Sequence, residues 1–429
     1  MKKVKRDYRS SRKKIRWKIV LPLLVLSLLL SYIAINLIFP HKVVVKQPKY
    51  TVCDYSLSKA QAVFNAMQFT DTINLQEHLY YGETLNIYNE PFELGTLDPF
   101  VGKTVILRNI CDNTEHVYMM EDSIDRQIPL DSLPVGFYEV YVMENLIKAR
   151  MTSESVVYDQ FYTVRRNNGL GKDVQVVADK DLIEPSIEGT TILNKNYVFI
   201  RVTDSEVPTD VYDIVIDPSR NHESSDNTIT KDVNVAEALV ESANLLKTKL
   251  EAYGLKVYVT RGDEIIGRYD TDGRMAKIYN VKAKYYIALD MDSSINPSKK
   301  GASIYYSHYT TKGFASAIFE NYLKLHDITI DVGSGTGLIT KPLRDMMDTS
   351  ADIRETGGKI LGAAKFTGAS SLNEPFAGNN PYGVQSVYLY MLYISSPYDY
   401  EIYTTQHDAL IENIALGFAD YLQLKKVAQ

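Results

Sequence analysis

The stretch from Val211 to Asn221, VYDIVIDPSRN, most constrains what this chain can fold into. Its apolar, β-branched first half is typical of a strand that is buried on both faces of a sheet. Asp217-Pro218 ends this strand, because Pro218 lacks an N–H and restricts the residue before it. Sites in open α/β sheets form just beyond the carboxyl ends of the strands. The sequence therefore predicts an α/β domain with candidate functional residues directly after Pro218.

From this stretch to the end of the chain, apolar residues alternate between strand-like and helical spacing. Strands are predicted over residues 255–260, 285–289, 302–306 and 387–394, and helices over 233–250, 314–325 and 411–422. Strands that alternate with helices are typical of a mostly parallel sheet flanked by helices. We assign this domain to residues 195–429.

The region before this domain has a different pattern. Residues 50–166 contain short alternating segments, such as KTVILRNI at 103–110 and GFYEVYVM at 136–143, separated by turn signals. Strands at this spacing with few helices predict a β-sandwich of the immunoglobulin-like type. A short helix is expected near residues 59–67. Residues 167–194, which are polar and contain Gly and Asn, are interpreted as a connector.

The N-terminus predicts a membrane anchor. Residues 1–18 carry ten Lys or Arg and one Asp, and residues 19–39 form a 21-residue apolar run without charge. As a helix this run would span about 31 Å, the thickness of a bilayer core. The basic tail should stay in the cytoplasm, which predicts a single-pass protein of the cell membrane with its C-terminal domains outside. A cleaved signal peptide is the alternative, although its apolar core would be shorter.

The charge of the chain limits the kinds of partner that it can bind, and its cysteines bear on the redox state of its compartment. Beyond residue 18 the chain has 37 basic and 52 acidic residues, a balance of −15, which argues against nucleic acid as the main partner. The only two cysteines, Cys53 and Cys111, lie in the predicted exported part. They could pair in an oxidising compartment, or they could stay as two free or buried thiols.

Several linked motifs in the last 225 residues resemble a known enzyme family. The motif GLKVYVTR at 254–261 is the most specific, and it lies within the run 230–264. The other motifs are IVIDP (214–218), GRMAKIYNVKAKYYIAL (273–289), GASIYYS (301–307) and SSPYDYE (395–401). Together they resemble the zinc-dependent N-acetylmuramoyl-L-alanine amidases, which cut peptidoglycan between the lactyl group and L-alanine.

The resemblance implies a site that this sequence does not supply. In the family, zinc is held by His, Glu and His, and a Glu on the last strand acts as general base. The corresponding ligand positions here are Arg220, Thr230 and Asp290, and the general-base position is aligned with Met391. A guanidinium has no free lone pair and keeps its charge, and a methionine accepts no proton. The resemblance therefore implies the amidase fold, while the substitutions leave no catalytic residue and no set of metal ligands at the family's positions.

Two further hypotheses concern the same residues. Because Arg220 and Asp290 would both have faced one metal ion, they are expected to lie close together and to form an ion pair in its place. Alternatively, a shifted metal site could use His222, Asp290 and one further carboxylate, such as Glu223, Asp226 or Asp292, with zinc as the cofactor.

The function expected from the sequence is that of a degenerate amidase on the outer face of the membrane. Such a protein would contact the bilayer through residues 19–39 and would bind peptidoglycan or regulate peptidoglycan-processing proteins. Two alternatives stay open: an active, divergent amidase with shifted ligands, and a non-enzymatic assembly protein that interacts through its β-domain.

Overall fold

Two bodies of β-structure and four helices make up the part of the chain that the structure describes. The structure is a computed structural model. It describes residues 53, 57–88, 102–120, 128–159, 161–165, 171–182, 193–206, 212–220, 229–230, 233–267, 273–274, 277, 281, 283–307, 312–325, 327–341 and 382–426. By its contacts, Lys49–Gln429 separates from the residues before it as one compact unit. The predicted tail 1–18 and membrane anchor 19–39 lie outside the described residues.

None of the described helices is both long enough and apolar enough to cross a membrane.

The first body is built from twelve strands and one helix. The helix is α1 (Leu57–Met67). The strands are β1 (Thr72–Asn74), β2 (Glu77–Tyr81), β3 (Thr84–Tyr88), β4 (Thr104–Asn109), β5 (Glu115–Met119), β6 (Ile128–Pro129), β7 (Gly136–Glu144), β8 (Ile147–Ser153), β9 (Val157–Tyr158), β10 (Tyr162–Arg165), β11 (Gly171–Ala178) and β12 (Asn196–Ser205).

These strands form two sheets around a common apolar core. The larger sheet has the order β10-β11-β12-β8-β7-β4-β5, with β1 paired to β8 and β9 paired to β11. The smaller sheet contains β2, β3 and β6. Tyr80 and Leu85 of the smaller sheet pack with Leu107 and Val140 of the larger one. The immunoglobulin-like topology stays a prediction.

The boundary drawn at residue 166 is wrong. The polar composition of segment 167–194 predicts a connector, but the segment contains β11, which pairs along its whole length with β12. Strand β12 in turn pairs with β7 and β8, so it lies inside the sheet of the first body. The polar residues of 167–194 suggested a loop. Local composition does not show that β12, the strand after this segment, pairs within the sheet of the first body.

The second body is the predicted α/β domain. Its strands are β13 (Ile214–Pro218), β14 (Ile229–Thr230), β15 (Val233–Asn234), β16 (Val257–Val259), β17 (Tyr285–Asp292), β18 (Ser303–Ser307), β19 (Leu338–Lys341), β20 (Tyr382–Gly383) and β21 (Gln385–Tyr393). Its helices are α2 (Val235–Glu251), α3 (Lys312–Tyr322) and α4 (Pro397–Tyr421). The six-stranded sheet has the order β16-β13-β17-β21-β18-β19, and every neighbouring pair is parallel except β18–β21. The predicted mostly parallel sheet is therefore confirmed.

Helices α2, α3 and α4 pack on one face of this sheet. Apolar residues at helical spacing, among them Leu239, Phe314 and Phe418, form one core with the inward side chains of the strands. Helix α4 begins where it does because Oγ of Ser396 accepts from N of Asp399 at 3.4 Å and Pro397 occupies the first turn. The opposite face of the sheet carries Tyr286 and Tyr388 in a second, smaller cluster.

The two bodies are joined at the amino-terminal end of the α/β sheet. The turn between β2 and β3 packs on Tyr285, and N of Glu83 donates to the hydroxyl of Tyr285 at 3.2 Å. Nζ of Lys284 pairs with Oε1 of Glu83 at 2.8 Å. Strand β20, which directly precedes β21, also pairs with β2. The first body therefore contacts the end of the sheet that lies opposite the carboxyl ends of the strands.

A disulfide closes the first body near α1. Cys53 and Cys111, whose pairing the sequence left open, are joined with their Cα atoms 5.5 Å apart. Cys53 also packs against the cluster that contains Phe64 and Met67 of α1. The disulfide therefore fixes the segment before α1 to the turn after β4.

Candidate functional site

The carboxyl ends of β13 and β17 bring Arg220 and Asp290 together. Nε of Arg220 donates to Oδ1 of Asp290 at 2.6 Å, and Nη2 lies 3.5 Å from Oδ2. The side chain of Asp290 is 4% exposed and that of Arg220 is 19% exposed. The two positions that the sequence expected to share one site therefore meet in a nearly buried, two-pronged ion pair.

Asp290 is fully engaged by its neighbours. Oδ1 also accepts from N of Met291 at 2.7 Å, and Oδ2 accepts from the hydroxyl of Tyr388 at 2.6 Å. Each carboxylate oxygen thus receives two donors, which is close to its full capacity. The carboxylate of Asp290 therefore has few free lone pairs with which to bind a metal ion.

The ion pair also holds the charge on Arg220. Burial acts to lower the pKa of the Arg220 guanidinium, but the attraction and hydrogen bond of Asp290 outweigh it, so the net pKa is raised. The site therefore keeps a permanent cation at its centre.

Tyrosines line the sheet beside this pair. Tyr390 lies opposite Asp290 in the register of β17 and β21, and its ring is 4.9 Å from that of Tyr388. Tyr305 of β18 packs edge-on against Tyr390 at 5.6 Å. Both Tyr305 and Tyr390 are half-buried. Burial, followed by the negative charge of Asp290, raises the pKa of Tyr390, so its hydroxyl is protonated at neutral pH.

The placement of the general-base position at Met391 is wrong. Met391 is 1% exposed and belongs to the helix-facing core with Leu389 and Val387. Successive side chains of a strand point to opposite faces, so Met391 faces away from the pair formed by Arg220 and Asp290. The residue of this strand that lies beside Asp290 is Tyr390, one position earlier.

Of the remaining predicted positions, Thr230 and Asp292 lie within the described residues. Thr230 lies in the two-residue strand β14, which pairs with β15 just before α2. His222, Glu223 and Asp226 lie outside the described residues, so the shifted metal site stays a prediction. Asp292 ends β17 and is half-buried.

A buried carboxylate supports the turn that carries Arg220. Asp217 is 0% exposed, and Oδ2 accepts from the hydroxyl of Tyr286 at 3.1 Å. The hydroxyl of Thr260 donates to Oδ1. Nε of Arg274 lies 3.2 Å from the same oxygen, close enough for an ion pair although its N–H is not aligned for a hydrogen bond.

Two buried arginines bind the main chain of this turn. Nε of Arg261 donates to O of Pro218 at 3.0 Å, and Nη2 of Arg274 donates to O of Ser219 at 2.7 Å. Nη2 of Arg261 also donates to O of Arg220. Three consecutive carbonyls are therefore bound by guanidinium groups, which fixes the direction in which Arg220 leaves the sheet.

The side chains at this site do not fit a zinc ion. A structural or catalytic zinc site needs at least three neutral or anionic ligands with free lone pairs. Here one ligand position is a cation, and the carboxylate at the other is saturated by hydrogen bonds. Among the described residues no three His, Cys, Asp or Glu side chains are grouped so that they could hold a metal ion.

Sequence reasoning found the ion pair but missed its surroundings. Tyr388 and Tyr390 alternate with apolar residues in QSVYLYMLY, and this period of two places both tyrosines on one face. The supporting roles of Asp217, Arg261 and Arg274 had no comparable signal, since a buried arginine and an exposed one look alike in a single sequence.

Comparison with known proteins shows which family the second body is similar to. Residues 214–420 match the family model described as N-acetylmuramoyl-L-alanine amidase. No curated protein gives a significant match to the chain.

Several solved amidase structures are also similar. The catalytic domain of CwlV, an N-acetylmuramoyl-L-alanine amidase from Bacillus (Paenibacillus) polymyxa var. colistinus, is 17% identical over 50% of this chain and 100% of that chain, with a TM-score of 0.35. The N-acetylmuramoyl-L-alanine amidase from Clostridium difficile 630 is 16% identical over 50% of this chain and 98% of that chain, with a TM-score of 0.35. The CwlD amidase from Clostridioides difficile, in complex with the GerS lipoprotein, is 14% identical over 49% of this chain and 98% of that chain, with a TM-score of 0.34.

From residue 214 to residue 420, this chain therefore resembles the N-acetylmuramoyl-L-alanine amidase family, as its sequence motifs predict.

Proposed function

We propose that this protein is a membrane-anchored pseudo-amidase on the outer face of the cell membrane, which keeps the amidase fold in order to bind peptidoglycan. The observation that carries this proposal is the ion pair between Arg220 and Asp290. We take these residues to occupy two of the three metal-ligand positions of the family. The positive charge of the guanidinium balances the negative charge of the carboxylate, so charge balance at this site does not require a metal ion.

The third ligand position and the general-base position support the same proposal. Thr230, which we assign to the glutamate ligand, offers only a hydroxyl, a weak ligand for zinc. We assign the position of the general base to Tyr390, and no longer to Met391. Because the pKa of Tyr390 is raised by burial and by Asp290, its phenol is a poor proton acceptor at neutral pH.

Peptidoglycan binding is inferred from the side chains that surround the pair. Tyr390 lies opposite Asp290, the partner of the partly exposed Arg220, and Tyr305 packs on Tyr390; both rings are half-buried. Aromatic faces suit the apolar faces of sugar rings, and a guanidinium suits carboxylates such as those of the wall peptide. The site therefore offers contacts to both parts of peptidoglycan without a group that hydrolyses it.

The membrane anchor rests on the sequence. Residues 19–39 are long and apolar enough to span a bilayer, and the ten basic residues before them favour a cytoplasmic N-terminus. This orientation places the α/β domain where peptidoglycan is found.

Metal content and amidase activity test the loss of chemistry. The unit 49–429 would be purified, equilibrated with zinc, dialysed and analysed for bound metal, and its release of peptide from purified peptidoglycan would be measured. We expect less than about 0.1 zinc per chain and no release of peptide. Stoichiometric zinc together with release of peptide would overturn the proposal in favour of an active, divergent amidase.

Restored ligands test the assignment of positions. The variant Arg220→His, Thr230→Glu, Asp290→His is expected to bind about one zinc ion per chain, because it recreates two imidazoles and a carboxylate. Adding Tyr390→Glu should then favour activity, whereas adding Met391→Glu should instead destabilise the core. Zinc binding that does not differ from the parent protein would contradict the assignment.

Sedimentation with purified peptidoglycan tests the binding function. We expect the unit 49–429 to co-sediment, and Tyr305→Ser to weaken this binding about tenfold. Tyr212→Ser is the matched control, since Tyr212 is also half-buried and packs edge-on against another tyrosine, Tyr258, at 5.3 Å. Equal binding by the two variants would exclude this face as the binding site. No binding by the parent protein would favour an assembly role for the β-domain.

A further inference from the structure

Strand β5 (Glu115–Met119) forms an open edge of the larger sheet. It is the last strand in the order β10-β11-β12-β8-β7-β4-β5, and among the described residues it pairs only with β4. Exposed edge strands are usually blocked by proline, by lysine or by a bulge, because they can pair with another chain. The sequence EHVYM contains neither proline nor lysine, and its register with β4 is regular.

The main chain of β5 presents a repeating set of donors and acceptors at this edge. N of Asn109 donates to O of Thr114, so in the antiparallel register the even-numbered residues of β5 bond to β4. The N–H and C=O groups of Glu115, Val117 and Met119 consequently point away from β4. Within the described part of the chain, three donors and three acceptors are therefore left for a further strand.

Of the three side chains on the exposed face of β5, Glu115 pairs with Lys148 at 2.6 Å and the other two are apolar. Val117 is 57% exposed and Met119 is 67% exposed. They lie on the same face of β5, two residues apart. Exposed apolar side chains on an unblocked edge strand are unfavourable in a monomer and are typical of a surface that another strand covers.

We propose that β5 pairs antiparallel with β5 of a second copy of this chain, about a two-fold axis at Val117. This register places Val117 opposite itself, Glu115 opposite Met119, and His116 opposite Tyr118. No like charges face each other in this register. Such self-complementarity is what a two-fold interface requires, and it is not required of an edge that binds a different protein.

The pairing joins two sheets into one continuous sheet through the dimer. Each of the three outward-facing residues exchanges both main-chain hydrogen bonds with its partner, about six bonds in total. Val117 and Met119 become covered by their counterparts. The strand is only five residues long, so the interface is small and the dimer is weak, with dissociation in the micromolar range or above.

Sedimentation velocity on the unit 49–429 tests the proposal. We expect the weight-average sedimentation coefficient to rise between about 5 and 200 μM, as a weak dimer forms. Val117→Lys should abolish this rise, because two lysines would face each other across the axis. Val332→Lys is the matched control: Val332 is 91% exposed, lies far from β5 in the sequence and should leave the association unchanged.

Cross-linking tests the register independently of stability. Because Cys53 and Cys111 are already joined, Val117→Cys would supply the sole free thiol. A short bis-maleimide should link two such chains into a covalent dimer, whereas Val332→Cys should give none. A protein that stays monomeric at every concentration and does not cross-link through position 117 would overturn the proposal, even if a different protein were found to pair with β5.

Discussion

Nε of Arg220 lies 2.6 Å from Oδ1 of Asp290, so a guanidinium and a carboxylate share the point at which β13 and β17 end. Asp290 also accepts hydrogen bonds from the hydroxyl of Tyr388 and from the main-chain N–H of Met291. The attraction at this distance offsets the cost of burying two charges only while both partners are present. The energetic coupling of the two residues is therefore the first property to measure.

The stability losses from removing Arg220 and from removing Asp290 should not be additive. Arg220→Met leaves the buried carboxylate of Asp290 without its cation, and we expect the free energy of unfolding to fall by about 1–3 kcal/mol, less than for a fully buried pair because Arg220 is partly exposed. The double variant Arg220→Met, Asp290→Leu should lose less than the sum of the two single variants. Urea unfolding of the unit 49–429 measures all three. Single effects that add to within about 0.5 kcal/mol would show that the pair contributes no coupling.

The prediction of this pair from sequence succeeded for a clear reason. Arg220 follows β13, and Asp290 lies near the carboxyl end of the neighbouring parallel strand β17. The resemblance to a family with a metal site implies that both positions converge on one point. The position of the general base failed because a shift of one residue along β21 moves a side chain to the other face of the sheet. Sequence motifs place a strand to within a residue or two, but the choice between Tyr390 and Met391 depends on the register with β17.

The extent of the first body was harder to predict. The sequence predicts strands β4 and β7 nearly in full, because both are rich in β-branched or aromatic residues and lie between turn signals. Strand β12 was predicted to belong to the α/β domain, since it follows the polar segment after β11. Only the pairing of β12 with β7 and β8 shows that it completes the first sheet, and such long-range pairing leaves no local pattern in the sequence.

The buried pair formed by Asp217 and Arg274 should be the more sensitive of the two ion pairs. Both side chains are 0% exposed, so Arg274→Met leaves an uncompensated carboxylate in the core. We expect this variant to lose about 3–5 kcal/mol of unfolding free energy. Arg201→Met is a suitable control, because the guanidinium of Arg201 lies over the ring of Phe161 in a half-buried position, and its loss should cost about 1 kcal/mol or less. Chemical denaturation of both variants compares them directly, and equal losses would refute the structural role of Arg274.

The contact between the two bodies depends on a glycine. Gly82 has a φ of +59°, and a Cβ added there would lie 2.6 Å from the ring of Tyr285. Gly102 has a φ of +81°, but a Cβ added there would meet nothing within 4 Å. Gly102→Ala should therefore cost only the backbone strain, about 1 kcal/mol. Gly82→Ala should cost a further 1–3 kcal/mol from overpacking.

Thermal unfolding and limited proteolysis distinguish these two glycine variants. Gly82→Ala should lower the Tm more than Gly102→Ala, and it should also expose the link between the first and second bodies to protease. Similar Tm values and similar cleavage would mean that the turn between β2 and β3 can move away from Tyr285 without loss.

The stability of the α/β domain should depend on pH through His407. Oγ of Ser242 donates to O of Ala238 at 2.8 Å, so it accepts from Nε2 of His407, also at 2.8 Å. Burial lowers the pKa of His407 from its ordinary value of 6.5 in spite of the nearby Glu241 and Asp408, and Lys249 lowers it further. The imidazole of His407 therefore binds a proton less readily in the folded chain than in the unfolded chain.

The sign of this dependence follows from the direction of the shift. The contribution of neutral His407 is complete above pH 6.5, and it is lost as the pH falls from there towards the lower pKa of the folded state. We expect the free energy of unfolding to decrease between about pH 7.5 and pH 5.5, and His407→Gln to reduce that slope. Ser242→Ala should lower stability at both pH values by removing the acceptor, yet it should retain the slope, since the imidazole stays buried. A slope that is unchanged in His407→Gln would assign the pH dependence to another group.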